Sequence, residues 1–155
     1  MNQYDIQILD IGAHGGELAQ FRNLASVITY IACESDEQEA NRLRKTVNQD
    51  SGWKNINVIS DALAQKKGEA DLYLTKQPGL SSLLKPDEKV FQQFYEIDYY
   101  RILSKTKVQC IPLDEAVSKY SMENVCFLKV DTQGTELDIL QSGKKIIGKC
   151  SRNSC

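Results

Sequence analysis

The stretch Tyr4–Asp5–Ile6–Gln7–Ile8–Leu9–Asp10–Ile11–Gly12–Ala13–His14–Gly15–Gly16–Glu17 decides the fold. Ile6, Ile8, Leu9 and Ile11 form a β-branched and apolar run; an acid and a loop with three glycines follow. Beyond the loop, Leu18, Phe21, Leu24 and Ala25 fall at helical spacing. The pattern is strand, glycine loop, helix. A loop without Cβ atoms lets a ligand lie against the backbone, and the free N–H groups of the next helix face it. Open α/β sheets bind ligands at the carboxyl ends of their strands, so a nucleotide-type cofactor is expected at this turn.

Outward from this unit the chain keeps alternating. Val27–Ile28–Thr29–Tyr30–Ile31–Ala32–Cys33 reads as a strand buried on both faces, closed by Glu34. Ser35–Asp36–Glu37–Gln38 has capping-box form with Ser35 at the N-cap, and the helix it starts carries Ala40, Leu43 and Val47 on one stripe. Ile56–Asn57–Val58–Ile59 is a third strand, followed by Ser60–Asp61–Ala62. Then the rhythm breaks. The segments 70–75 and 107–111 have strand character of period two. Between them lie Pro78–Gly79–Leu80–Ser81–Ser82–Leu83–Leu84 and an aromatic stretch, Phe91 to Tyr100, expected as a core-covering helix. A connection this long in a small domain is usually a lid or a binding loop. A short helix follows Pro112. Val125–Cys126–Phe127–Leu128–Lys129–Val130, closed by Asp131, is a fourth strand, and Thr135 to Gln141 is a helix stopped by Gly143.

Composition narrows the class. With 155 residues and 41% hydrophobic content, the expectation is a single domain over residues 1–155. A net charge of −2, with 26% charged residues spread along the chain, argues against a nucleic-acid partner. The apolar runs are far shorter than a membrane span, and the first residues have no basic-then-apolar leader pattern. A cytoplasmic protein without a membrane span is therefore expected. Of the five cysteines, Cys33, Cys110 and Cys126 fall inside strands, and they are expected to be buried free thiols; Cys150 and Cys155 lie in the tail. With one histidine in the chain, no metal site is expected.

Acids at successive strand ends carry the chemistry. Asp10, Glu34, Asp61 and Asp131 each follow an apolar run, so a parallel sheet would gather them on one rim. A carboxylate at Glu34 can accept from both hydroxyls of a ribose. Asp61, with Ala62 beside it, can accept from the exocyclic amine of a base. Asp10 beside the glycine loop suits an ammonium group rather than a phosphate. Each has a plain structural alternative, since Asp61 and Asp131 could cap helices and His14 could bond locally. A dinucleotide fingerprint wants G-x-G-x-x-G, but the chain reads G-A-H-G-G-E from Gly12. The acid with D-I-G-A-H-G-G fits S-adenosylmethionine better, a ligand with a cationic sulfonium and an amino-acid end.

Leu9 to Gly16 resembles the first motif of FkbM-type methyltransferases, and Phe127–Leu128–Lys129–Val130–Asp131–Thr132–Gln133–Gly134–Thr135–Glu136–Leu137 resembles that family's most diagnostic run. Ala62–Leu63, Leu80 to Leu84 and Ile111–Pro112–Leu113–Asp114–Glu115 fall between them in the family's order. The resemblance covers about Ile6 to Ile147. It implies an α/β fold, a mostly parallel Rossmann-like class I methyltransferase sheet with an inserted hairpin-like pair. Family members continue past Gly143 with further strands, so a sheet missing its C-terminal part is expected, with an exposed edge through which a homo-oligomer could form. S-adenosyl-L-methionine is the implied cofactor. Gly12 and Gly16 would lie against it with Asp10, Ala13, His14 and Ser35, Glu34 would take the ribose, and Asp61 and Ala62 would face the adenine. His14 stands where the family usually has Asn, and Ser35 where it often has Pro. Asp131 would lie near the reacting centre. The implied reaction is O-methylation of a small-molecule or glycan acceptor, for which Asp131, Glu136 and, third, His14 are the candidate bases. An inactive cofactor-binding fragment is the alternative.

Overall fold

The computed structural model describes residues 5–16, 18–47, 52–91 and 97–150. Residues 1–4, Glu17, the segments 48–51 and 92–96 and the tail 151–155, with Cys155, lie outside the described residues. Among the described residues there are seven strands: β1 (Ile6–Ile11), β2 (Ile28–Cys33), β3 (Asn55–Ile59), β4 (Ala62–Leu63), β5 (Gly68–Thr75), β6 (Ile102–Ile111) and β7 (Val125–Val130). The helices are α1 (Glu37–Val47), α2 (Glu88–Phe91), α3 (Leu113–Lys119), α4 (Glu136–Ser142) and α5 (Lys144–Cys150). One sheet has the order β3-β2-β1-β7 with every pair parallel. Because β2 and β7 flank β1 on opposite sides, the winding reverses at β1. That reversal is where a crevice opens beyond the strands' carboxyl ends. The α/β, mostly parallel architecture expected from the sequence is the one observed.

Two-face burial explains the inner strands. All six residues of β2 are buried, whereas Val27 just before it is 49% exposed and stays out of the strand. Leu9, Ile11, Ile31 and Cys33 point to one face, where Leu113, Ala116, Ile139 and Ile146 of the later helices cover them. Ile8, Tyr30 and Ala32 point to the other, under Leu18, Ala25, Leu43 and Trp53. Each such aliphatic side chain contributes about 1.5–3 kcal/mol relative to exposure. Tyr30 stacks on Trp53 at 5.0 Å between ring centres, yet the buried indole N–H of Trp53 has no partner among the described residues. Trp53→Phe removes that orphaned donor and keeps the stack, so thermal melting should show a loss of under about 1 kcal/mol, far below the usual cost of truncating a core aromatic.

Several local expectations are corrected. Ala19–Val27 is a 3-10 helix, not an α-helix, and Leu24 on it is 55% exposed. Its N-cap has no side-chain bond and its ends carry no helpful charges; the Ala25 carbonyl accepts from the capping Ile28 N–H and also from Lys54 N–H at 2.8 Å. The cap of α1 is Asp36, whose Oδ1 accepts from Gln38 N–H at 2.9 Å, and not Ser35. Glu34 Oε1 captures the Asp36 N–H at 2.8 Å, which holds the chain extended one residue further. Gly143 ends α4 at φ −109, outside the left-handed region. It is glycine for another reason: a Cβ there would sit 2.4 Å from the Leu113 side chain. The Lys144–Cys150 helix after it had no counterpart in the sequence reading.

The inserted pair is β5 against β6, antiparallel, with β4 parallel to β6 on its other side. Residues 76–101 join the two, a long excursion rather than a hairpin turn, and this excursion supplies the roof of the cleft. In the aromatic stretch, described turns of α-helix and 3-10 helix lie on either side of the segment 92–96, and Tyr99 is 48% exposed. Cys33 and Cys110 are buried free thiols as expected, but Cys126 is exposed. Its strand, β7, stands at the sheet edge, where Phe127 is also 37% exposed. No helix among the described residues is long and apolar enough to cross a membrane.

Candidate active site

The carboxyl ends of β1, β2 and β7 meet at the glycine turn. Gly12 and Ala13 N–H both donate to the Cys33 carbonyl, at 3.0 and 3.2 Å, hooking the turn onto the end of β2. From the other side Asp131 N–H donates to the Ile11 carbonyl at 2.9 Å. Gly12 has φ +77, and a Cβ on it would lie 1.9 Å from the Asp131 carbonyl oxygen. Only glycine fits there, on both counts.

Above this turn lies an open cleft whose free volume, with the solvent at its mouth included, is about 780 Å³. It gathers seven of the expected residues: Gly12, His14, Glu34, Ser35, Asp61, Ala62 and Asp131. Asp10, Ala13, Gly16 and Glu136 do not line it. Ile11 and Cys33 give it an apolar floor, while Pro78, Gly79, Ser81, Ser82 and Leu83 form its roof.

Glu34 is the most perturbed acid on its wall. It is 8% exposed; burial pushes its carboxyl up to about 7, the Asp36 N–H works against this, and nearby acids add to it. Oε1 holds that N–H, and Oε2 has no hydrogen-bond partner among the described residues. This carboxylate is short of donors. Asp61 is the opposite case. Burial raises its carboxyl, but Lys119 Nζ at 2.5 Å and Tyr120 Oη at 2.6 Å outweigh it and hold the group below the usual range.

Two candidate residues turn out to serve the protein itself. Asp10 is 1% exposed, and its carboxylate accepts from Tyr30 Oη at 2.8 Å and Lys129 Nζ at 2.9 Å. Its ammonium partner is internal. Burial raises its carboxyl, against the pull of Lys129 and Tyr30. Glu136 folds back onto the loop before it, accepting from Thr132 N–H at 2.8 Å and Gly134 N–H at 2.9 Å. Partial burial raises its carboxyl, and these backbone donors more than reverse that. A carboxylate so filled and so acidic is a poor base. It braces a strained loop in which Gln133 has φ 59 and Gly134 φ 114.

The roof touches the glycine turn directly. A Cβ on Gly79 would come within 2.9 Å of His14 Cδ2, and His14 Nδ1 lies 3.5 Å from Glu39 Oε2. Ser82 Oγ donates to the Gln133 carbonyl at 3.0 Å and accepts from Leu84 N–H at 3.0 Å, which ties the roof to the β7–α4 loop. Because the imidazole is a movable side chain, Gly79→Ala should cost about 1 kcal/mol or less, and adding His14→Ala should recover that cost. Melting temperatures of the two single variants and the double check the coupling.

Sequence reasoning missed Lys129 and Thr132. Thr132 lines the cleft; Lys129 lies behind it. The signal for Lys129 was there, a lone lysine inside an apolar strand, but its partners stand 117 and 119 positions away. Of the cleft's lining side chains, Glu34, Asp61 and Asp131 are acids and none is a lysine or arginine. Such a wall favours a cationic ligand over a pyrophosphate. Neither a search of curated proteins nor one of solved structures returned a match. The family model described as Methyltransferase FkbM domain matches residues 10–154, which hold the glycine turn and every cleft acid. The chain therefore belongs to the FkbM methyltransferase family.

Proposed function

We propose that the protein is an S-adenosylmethionine-dependent methyltransferase acting on a hydroxyl of a sugar, glycan or other small molecule. The observation that carries this reading is Glu34, a nearly buried carboxylate facing the cleft with one oxygen short of donors. A ribose diol supplies those donors. The acid-lined wall suits the ligand's positive charge, and Asp61 with Ala62 offers an acceptor beside the adenine position. When bound, S-adenosylmethionine supplies a methyl group already activated on a positively charged sulfur.

The protein's own part is orientation. Holding a hydroxyl oxygen in line with that methyl supplies about 7–11 kcal/mol. Asp131, at the end of β7, lines the cleft opposite Glu34's strand, and its side chain is 56% exposed at the mouth. Its Oδ1 accepts from Gln133 Nε2 at 3.0 Å, which fixes the carboxylate while leaving it capacity to take a hydroxyl proton. Formation of S-adenosylhomocysteine with a panel of sugar hydroxyl acceptors tests the reading. Turnover with one of them supports it; binding without any turnover would leave only a cofactor-binding protein.

A further inference from the structure

We infer that Lys129 is a positioning residue of this site, its one ammonium fixing the glycine turn and the β7 end against each other. The inference rests on the proposed cofactor reading. Nζ lies 2.9 Å from Asp10 Oδ1, 3.3 Å from the Gly12 carbonyl and 3.9 Å from Asp131 Oδ2. Neutralising Asp10 alone needs only the first of these contacts. The second grips the glycine turn, whose Gly12 lines the cleft while Lys129 itself does not. The third steers the carboxylate at the cleft's far end. An ammonium donates to Asp10 and to the Gly12 carbonyl and still lies within ion-pair distance of Asp131, whereas an aliphatic side chain would have continued the apolar run Leu128–Val130 without the cost of partly burying a charge. Asp10, 1% exposed, holds the ammonium from beneath and is itself braced by Tyr30.

Removing Lys129 alone strands the Asp10 charge in the core, so loss of folding would prove nothing about the site. The informative variant is Asp10→Asn with Lys129→Met, which removes both charges together and leaves the Tyr30 hydroxyl an acceptor. Its melting temperature and its affinity for S-adenosylhomocysteine by calorimetry are compared with the parent protein. The expected result is melting within a few degrees of the parent with affinity weakened about tenfold or more. Parent-like affinity in the double variant overturns the inference, since the pair would then be structural filling. A double variant that does not fold also overturns it, because folding would then need the charges themselves. If the parent protein binds neither S-adenosylmethionine nor S-adenosylhomocysteine, the cofactor reading has failed and this inference falls with it.

Discussion

Glu34→Gln is expected to make the protein more stable above pH 7 while weakening its hold on S-adenosylmethionine. Burial raises the Glu34 carboxyl from 4.5 in the open chain to about 7 in the folded protein. A group raised on folding favours the folded state below its unfolded value, and that contribution is lost as pH rises through the folded one. Stability of the parent protein should therefore fall between about pH 4.5 and 7, by an amount on the order of 3 kcal/mol. Glutamine keeps the acceptor for the Asp36 N–H and carries no charge. At pH 8 the variant should gain about 1–3 kcal/mol, and the fall with pH should flatten. Its ligand affinity should drop by about 10- to 100-fold, since hydrogen bonds to a charged acceptor are worth about 1.5–3 kcal/mol. Chemical denaturation across pH and calorimetry on the same two proteins check both halves. A variant that loses stability at pH 8, or binds as well as the parent, contradicts this account of the cleft.

Gly12→Ala should be the most damaging small substitution in the chain. Its φ of +77 disfavours any side chain, and the Cβ would meet the Asp131 carbonyl at 1.9 Å, a backbone atom that cannot rotate away. The turn or the β7 end has to move. The expected cost is about 3 kcal/mol or more, a fall in melting temperature of roughly 10 °C in a chain of this size. Gly15→Ala is the control. Its φ is +88, but nothing lies within 4 Å of the new Cβ, so only the backbone preference is lost, about 1 kcal/mol. Equal melting temperatures for the two variants would mean that the two strand ends do not press together as described.

How much of this was legible in the sequence follows from where each interaction lives. β1 and β2 were readable because strands buried on both faces must be apolar throughout, and the acids after them because a strand end is a local event. Gly12 was read as a point of close approach to a ligand; the approach that forbids its Cβ is to Asp131, from a strand far along the chain. Asp10 was read as an ammonium site, and the chemistry was right while the partner was not: Lys129 of β7 holds it. Glu136 looked like a base beside the reacting centre, yet the turn at Gln133 and Gly134 brings two backbone donors onto it. β6 runs from Ile102, longer than its apolar half at 107–111, because β5 pairs with it out to Thr75, and Lys105, opposite Tyr73, reaches across to Asp71. The roof over the cleft was marked by the length of its connection and by the place of Leu80 to Leu84 in the family's order, and Gly79 takes its meaning from His14 packed against it.

On the proposed reading, the nearly buried Glu34 carboxylate at the end of β2 takes the ribose of a cationic methyl donor. Calorimetric titration of S-adenosylmethionine into the parent protein at pH 6, 7 and 8 tests it most directly. With Glu34 titrating near 7 and binding favouring its ionised form, affinity should rise about tenfold from pH 6 to pH 8. Absence of binding at every pH, or equal or tighter binding at pH 6, would contradict it.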